Sequence, residues 1–119
     1  MFRGREQFYP YDRDIMVGDL AEDGTQLRPH VVLFGEQVPN MTKAMRMIND
    51  SNVLLVIGTT LDVYPASGVV DIFIESGCPV FYIDPNPNKE YAGRVNFIAK
   101  KATEGFADFK EALAKLPQD

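Results

Sequence analysis

The chemistry-bearing residues of this 119-residue chain fall in three short stretches, each directly after an apolar run. Phe34-Gly35-Glu36 follows Val31-Val32-Leu33. Gly58-Thr59-Thr60-Leu61-Asp62-Val63-Tyr64-Pro65 follows Val53-Leu54-Leu55-Val56-Ile57. Asp84-Pro85-Asn86-Pro87-Asn88 follows Val80-Phe81-Tyr82-Ile83. The middle stretch has the parts of a phosphate or ribose cradle. Gly58 lets a ligand approach the backbone, and Thr59 and Thr60 offer hydroxyls. A helix starting near Pro65 would turn its positive end toward such a ligand. The bland alternative is a Gly-Thr-Thr turn that only exits a strand, and no GxGxxG decides between them. Asp84 admits the same two readings, as an acceptor for ribose hydroxyls or as the cap of an Asx-Pro corner. The residues alone reach a nucleotide-sized ligand on an α/β sheet.

The elements that must position these stretches are legible from periodicity. The runs 31–34, 53–57 and 80–83 are apolar at every position, the pattern of strands covered on both faces. Asn40 is a candidate cap for a helix reaching about Asp50, with Ala44, Met47 and Ile48 on one face. Pro65 opens a second helix whose Ala66, Val69, Val70, Phe73 and Ile74 form one stripe, and Gly77 stops it. A weak strand over 95–99 leads to a last helix with Phe106, Phe109, Leu113 and Leu116 aligned. The order predicts a partial Rossmann-like parallel sheet of about four strands flanked by helices. Residues 1–29 are polar, rich in turn signals and without a helical period, so they form an irregular segment preceding residues 30–119.

Composition bounds the function classes. With 45% hydrophobic and 24% charged residues, eight Phe and five Tyr, the chain suits one small globular domain. A formal net charge of -5 speaks against nucleic acid as a partner. An acidic surface suits a basic peptide, although ordinary solubilising charge explains it as well. The single Cys78 excludes an internal disulfide or a multi-cysteine zinc site and reads as a small buried filler. No segment has the character of a signal peptide or membrane span, so no membrane association and a cytoplasmic location are expected.

Three motifs in order carry a family resemblance. Leu27-Arg28-Pro29-His30-Val31-Val32-Leu33-Phe34-Gly35-Glu36, with Pro39 after it, resembles the sirtuin "LRPHVVWFGE..P" segment. Leu33 stands where many bacterial members have Trp. Val56 through Ser67 resembles "IGTSLxVxPAA", and Pro79 through Pro87 resembles "PxxxINPxP". Sirtuins are NAD-dependent protein deacylases, which join an acyl-lysine to the ribose as nicotinamide leaves and then release free lysine and acyl-ADP-ribose. The resemblance implies that Gly58, Thr59 and Thr60 line the NAD phosphate and ribose site. It places Asp84, where most members have Asn, at the adenine ribose, and the backbone of Lys101 and Ala102 at adenine. It assigns Val32, Phe34 and Gly35 to the wall of the acyl-lysine tunnel, and Gly35-Glu36 to the edge along which a substrate peptide pairs.

The departures are as informative. The glycine-rich "GAGxSxxSGIPxFR" motif and the "QNxDxLHxxAG" segment, whose His is the family's general base, do not occur in this sequence. The one histidine, His30, is in a position the family does not use for catalysis and reads as structural. Alignment on Leu27-Arg28-Pro29 puts Leu20 and Asp23 where the second zinc-binding cysteine pair would fall, resembling the zinc-free bacterial branch, with residues 1–29 the remnant of the small module. The expectation is therefore the C-terminal half of a sirtuin domain with an incomplete NAD site, no zinc and no catalytic residue of its own. It would be one part of a divided or truncated enzyme; a non-catalytic NAD or ADP-ribose-binding module and a degenerate fragment are the alternatives. The open side of a half-sheet predicts self-association or a complementing chain.

Overall fold

The computed structural model describes residues 2–4, 8–10 and 12–117. Its contacts divide the chain into two compact units, residues 1–39 and 40–119. The change of sequence character at 29/30 thus precedes the structural division, because the Val31–Pro39 stretch folds with the first unit.

In the first unit, β1 (Phe2–Arg3), β2 (Phe8–Tyr9) and β3 (Arg28–Pro29) form a small antiparallel sheet in the order β2-β1-β3. Strands this short bury little surface. A small core of Ala21 and Leu27, backed by Tyr9 and Ile15, supports them. Gly4 is required there: a Cβ would lie 2.5 Å from the Ala21 Cβ and 2.9 Å from Thr25 Oγ1. The Gln26 side chain ties the loop between β2 and β3. Its Oε1 accepts from the Gly18 N–H at 2.8 Å, and its Nε2 donates to the carbonyls of Met16 and Leu27, each at 3.0 Å.

The strand expected over 31–34 does not form. Its ladder groups are diverted to side chains: Arg3 Nη2 donates to the Val31 carbonyl at 3.0 Å, and the Leu33 N–H donates to Glu36 Oε2 at 2.9 Å. Gly35, at a φ of +86°, then turns the chain. A backbone satisfied in this way does not need a neighbouring strand.

The second unit runs α1 (Met41–Asn49), β4 (Leu54–Ile57), α2 (Ala66–Glu75), β5 (Val80–Ile83), a short 3-10 turn (Lys89–Tyr91), β6 (Asn96–Ile98) and α3 (Ala102–Ala114). The three strands are parallel in the order β4-β5-β6, so among the described residues the sheet has three strands where about four were expected. Its α/β architecture, with an irregular stretch before it, is the one expected. All four residues of β5 are buried, and they alternate between two cores. Val80 and Tyr82 join Val56, Val70, Phe73 and Tyr91. Phe81 and Ile83 join Phe109 of α3. That alternation is why β5 is apolar at every position.

The helices refine the expected stripes. Asn40 precedes α1, but its side chain makes no capping hydrogen bond. Its carbonyl accepts the Ala44 N–H instead, at 2.9 Å. α2 buries Val70 and Phe73 as expected and ends in a Schellman arrangement, Cys78 N to Phe73 O at 3.0 Å and Gly77 N to Ile74 O at 3.1 Å. Cys78 is partly buried against the α2-side core. α3 packs through Gly105, Phe109, Ala112 and Leu116, whereas Phe106 and Leu113, expected on the buried stripe, are exposed. Gly105 explains the rotation. It brings the helix backbone so near the sheet that a Cβ there would lie 2.4 Å from Ile83 Cγ2 and 3.2 Å from Ile98 Cγ2. The aromatic ring of Phe106 is left outside, with Lys110 Nζ 5.6 Å from its centroid.

Gly105→Ala should therefore lower stability although alanine is the better helix former, because overpacking a dense core costs about 1–3 kcal/mol. Urea unfolding measures this directly, and an unchanged or higher midpoint would show that the helix does not sit this close to β5.

Candidate functional site

The register of the parallel sheet gathers one group of the singled-out residues. Ile57 pairs with Ile83 and Ile83 with Ile98, so the three strands end level. Gly58, Asp84 and the stretch leading to Lys101 and Ala102 consequently leave the same edge of the sheet, the carboxyl edge at which open α/β sheets bind ligands. Two ladder-like bonds continue past the strands, Gly58 N to Ile83 O at 2.9 Å and Asp84 N to Ile98 O at 3.2 Å. Gly58 is in the left-handed region, with a φ of +66°. Gly58, Thr59, Thr60, Lys101 and Ala102 are exposed, and Asp84 is half-buried. Lys101 is the N-cap of α3; its carbonyl accepts the Gly105 N–H at 2.8 Å, and its side chain does not cap.

Two residues that the sequence reading missed hold this edge together. Tyr82 is completely buried in β5, and its hydroxyl donates to the Thr59 carbonyl and accepts the Asn88 N–H at 3.2 Å. Asn88 Nδ2 donates to the Thr60 carbonyl at 2.9 Å and to Asp62 Oδ1 at 3.3 Å, while its Oδ1 accepts the Glu90 N–H at 3.0 Å. The carbonyls of Thr59 and Thr60 thus serve to join the two loops. Their N–H groups have no partner among the described residues and are free to donate to a ligand oxygen. Thr59 Oγ1 accepts the Leu61 N–H at 3.2 Å, a local turn that places Leu61 at a φ of +57°. A signal for Tyr82 was available. A tyrosine inside an otherwise aliphatic buried strand must find a partner for its hydroxyl.

Asp84 accepts the Asn86 N–H through Oδ1 at 2.8 Å, the Asx turn of an Asx-Pro corner. Oδ2 has no partner among the described residues. The turn and a ligand contact are therefore compatible. For a nucleotide cofactor, this edge offers backbone donors, two threonine hydroxyls and one carboxylate acceptor, a set that fits ribose hydroxyls and phosphate oxygens.

The second group, Val32, Phe34, Gly35 and Glu36, lies in the first unit, on one turn and not along a strand. The Glu36 N–H donates back to the Leu33 carbonyl at 3.1 Å. Val31, Val32, Leu33 and Phe34 are exposed, Phe34 by 93%. Arg28 grips Glu36 with both arms of its guanidinium, at 2.6 and 3.0 Å, and Arg3 approaches it at 3.5 Å. These contacts hold the Glu36 carboxyl down to about 2 from an ordinary 4.5. The Arg28 hydrogen bonds are the largest cause and the Leu33 N–H the next. Two grooves in this unit lie beside other residues. One of about 710 Å³ is lined mainly by Asp14, Ile15, Met16, Val17 and Arg28, and one of about 350 Å³ by Tyr9, Asp12, Leu20 and Glu22.

At the positions aligned with the second cysteine pair, a main-chain bridge and a side-chain turn bond close the loop. Leu20 bridges Gln26, and Asp23 Oδ1 accepts the Thr25 N–H at 3.0 Å in the turn before it. Among the described residues no group of three or more His, Cys, Asp or Glu could hold a metal, and no helix is long and apolar enough to cross a membrane.

A parallel α/β sheet with helices against it and level strand tips carrying hydroxyl, amide and carboxylate groups has the architecture of the Rossmann-like folds. Comparison with known proteins makes this specific. The sequence model of the Sir2 family matches residues 5–65. The NAD-dependent protein deacylase of Bacteroides thetaiotaomicron is 37% identical over 113 residues, covering 94% of this chain and 48% of that protein. The NAD-dependent protein deacylase of Helicobacter pylori is 34% identical over 109 residues, covering 91% and 47%. A Sir2 homologue crystallised with NAD superposes with a TM-score of 0.69 at 24% identity, over 96% of this chain and 47% of that one. A Sir2 protein bound to a propionylated peptide gives 0.63 at 22%, over 79% and 41%. At these identities the structural likeness is one of fold. The chain belongs to the Sir2 family, the sirtuins, and spans about half the length of the curated relatives it matches.

Two outcomes follow from the geometry. Asn88→Ala removes both side-chain ties to the Thr60–Asp62 loop, so amide exchange at Leu61, whose N–H bonds Thr59 Oγ1, should quicken while the β5 amides stay protected; equal protection would mean that the loop holds its shape unaided. The lowered pKa of Glu36 makes its ion pair a source of stability that is complete above the unfolded value of 4.5 and is lost as pH falls through about 2. The carboxyl carbon of Glu36 should accordingly titrate near 2, and Arg28→Ala should raise that midpoint toward 4.5. A wild-type midpoint already near 4.5 would show that the pair does not persist in solution.

Proposed function

We propose that this chain is the C-terminal half of a sirtuin catalytic domain, supplying the adenosine side of an NAD site and part of the acyl-lysine wall of a protein deacylase. The observation that carries the reading is the level carboxyl edge of the sheet, which gathers Gly58, Thr59, Thr60, Asp84, Lys101 and Ala102 within one unit. In this reading the Thr59 and Thr60 amides and hydroxyls bind phosphate and ribose oxygens, and Asp84 Oδ2 accepts from the adenine ribose. The backbone at Lys101 and Ala102 borders adenine. Val32, Phe34 and Gly35 flank the acyl-lysine, and Glu36 lies at the edge that receives the peptide. The cofactor, when bound, supplies the ribose carbon to which the acyl oxygen is joined. This chain positions and excludes water; the general base and the glycine-rich pyrophosphate loop belong to residues outside these 119.

The site is therefore incomplete by itself, holds NAD weakly, uses no zinc, and works in the cytoplasm on acyl-lysine proteins when a complementing chain completes it. Ile57, more than two-fifths exposed at the tip of the edge strand β4, supports such association. Mixing the chain with a polypeptide carrying the glycine-rich and "QNxDxLH" segments of a relative should give NAD-dependent deacylation of an acyl-lysine peptide that neither part shows alone. A well-folded complex without activity would sink the deacylase reading.

A second reading, a non-catalytic ADP-ribose-binding module, draws support from the fact that all six cofactor-side residues lie within one unit. Calorimetry with ADP-ribose tests it. Weak saturable binding by the chain alone, reduced by Asp84→Ala, is expected, and a flat titration at millimolar ligand would exclude it.

A further inference from the structure

The turn proposed as substrate wall cannot be held by its own apolar side chains. Val31, Leu33 and Phe34 are 55%, 64% and 93% exposed, so burial contributes almost nothing to its shape. Its backbone is turned by Gly35, a residue that gives up more conformational freedom on ordering than any other. Something else must order it, and among the described residues the Glu36 carboxylate is placed to do so. Glu36 Oε2 accepts the Leu33 N–H at 2.9 Å while the Glu36 N–H donates to the Leu33 carbonyl at 3.1 Å, so the turn is closed from both ends.

The carboxylate is in turn fixed from the sheet. Arg3 of β1 and Arg28 of β3 are direct cross-strand partners. Two guanidinium groups on opposed positions repel, and alone they would destabilise the pairing. Glu36 lies against both, in a bidentate fork with Arg28 at 2.6 and 3.0 Å and at 3.5 Å from Arg3. Arg3 also donates to the Val31 carbonyl at 3.0 Å, which anchors the start of the turn. Exposed ion pairs are usually worth little because two long side chains must be ordered. Two features set this one apart. The fork fixes both carboxylate oxygens, and the Arg3 side chain is only 12% exposed and thus already ordered.

We infer that Arg28 is a positioning residue, which acts through Glu36 to hold the Leu33–Glu36 turn, and with it Val32 and Phe34, in the shape that receives the acyl-lysine substrate. The functional half of this statement rests on the assignment of Val32 and Phe34 to the substrate wall; the structural half stands without it. A pre-ordered turn spares the substrate the cost of ordering it, so the effect belongs in peptide binding and not in cofactor binding. Lysine replaces Arg28 only in part, since an ammonium has the charge but not the planar fork.

Amide exchange followed by NMR on the whole chain tests the structural half. Arg28→Ala should speed exchange at Leu33 and Glu36 by about tenfold, with the β5 amides unaffected. Arg28→Lys should give an intermediate rate. Glu36→Gln, which keeps the shape and removes the charge, serves as the second route should Arg28→Ala fail to fold, and it should also speed Leu33 exchange. Arg94→Ala, which breaks an ion pair with Asp71 in the other unit, is the control and should change neither amide. Unchanged Leu33 exchange in the Arg28 and Glu36 variants would overturn the inference. In the complemented enzyme, Arg28→Ala should raise KM for the acyl-lysine peptide, leave KM for NAD unchanged, and be partly rescued by Arg28→Lys. Faster exchange with an unaltered peptide KM in an active complex would also overturn it. Faster exchange in a complex where even the unsubstituted chain is inactive would support the positioning of the turn and count against the deacylase reading instead.

Discussion

The burial of β5 on both faces is the constraint from which the ligand edge of the sheet follows. A strand covered on two sides cannot carry a hydroxyl unless that hydroxyl has partners, since an unsatisfied buried group costs about 1–3 kcal/mol. Tyr82 is in this position, fully buried with its ring against Tyr91 and Phe97. Among the described residues its hydroxyl is satisfied by backbone groups of the two loops that leave the strand tips, at Thr59 and Asn88. Core packing and site geometry are thereby coupled. The requirement that the core have no orphaned polar atom fixes where the Gly58–Asp62 loop runs, and that placement uses the Thr59 and Thr60 carbonyls while leaving their amides without a partner among the described residues.

The same coupling explains which parts of the fold could be read from sequence. β4, β5, α2 and α3 come from residue patterns that report on burial, and burial is local information: a run apolar at every position has both faces covered, and an apolar stripe at helical spacing has one. The stretch over 31–34 carries the same pattern and is not a strand. Val31 to Phe34 are apolar for a reason other than a core, because they are exposed. What sets their backbone is a pair of arginines, one of them at residue 3, and no periodicity in the stretch itself reports on a side chain that distant. Phe106 and Leu113 show a milder form of the same limit. The stripe was real, but Gly105, with no apolar side chain to announce it, decides which face of α3 meets β5.

The candidate site divides along the same line. That Gly58 and Asp84 are neighbours was legible because parallel strands must end at a common edge, so the residue after each run lies beside the residue after the next; Lys101 and Ala102 came from the family resemblance alone. Tyr82 and Asn88 were not singled out, since their roles depend on which carbonyls the loops present, a matter of conformation that spacing does not encode. The choice between a cap and a ligand contact for Asp84 proved a false opposition. An Asx turn occupies one carboxylate oxygen and leaves the other, so a single residue serves the corner and can still accept from a hydroxyl.

Family membership then changes what the absences mean. An edge that offers donors and acceptors can bind, and binding alone accelerates nothing unless some group moves a proton or stabilises developing charge. His30, whose ring lies tilted against Phe8 with centroids 4.6 Å apart, sits in the small antiparallel unit, within the region whose backbone the arginine pair organises. Each unit therefore carries one pre-arranged feature, the carboxyl edge of the sheet in one and the anchored apolar turn in the other. Both are ordered in advance by polar ties to buried or half-buried side chains, Tyr82 in the first case and Arg3 in the second. Pre-ordering of this kind lowers the cost of any binding event at either place, because it leaves the least to be arranged when a ligand arrives.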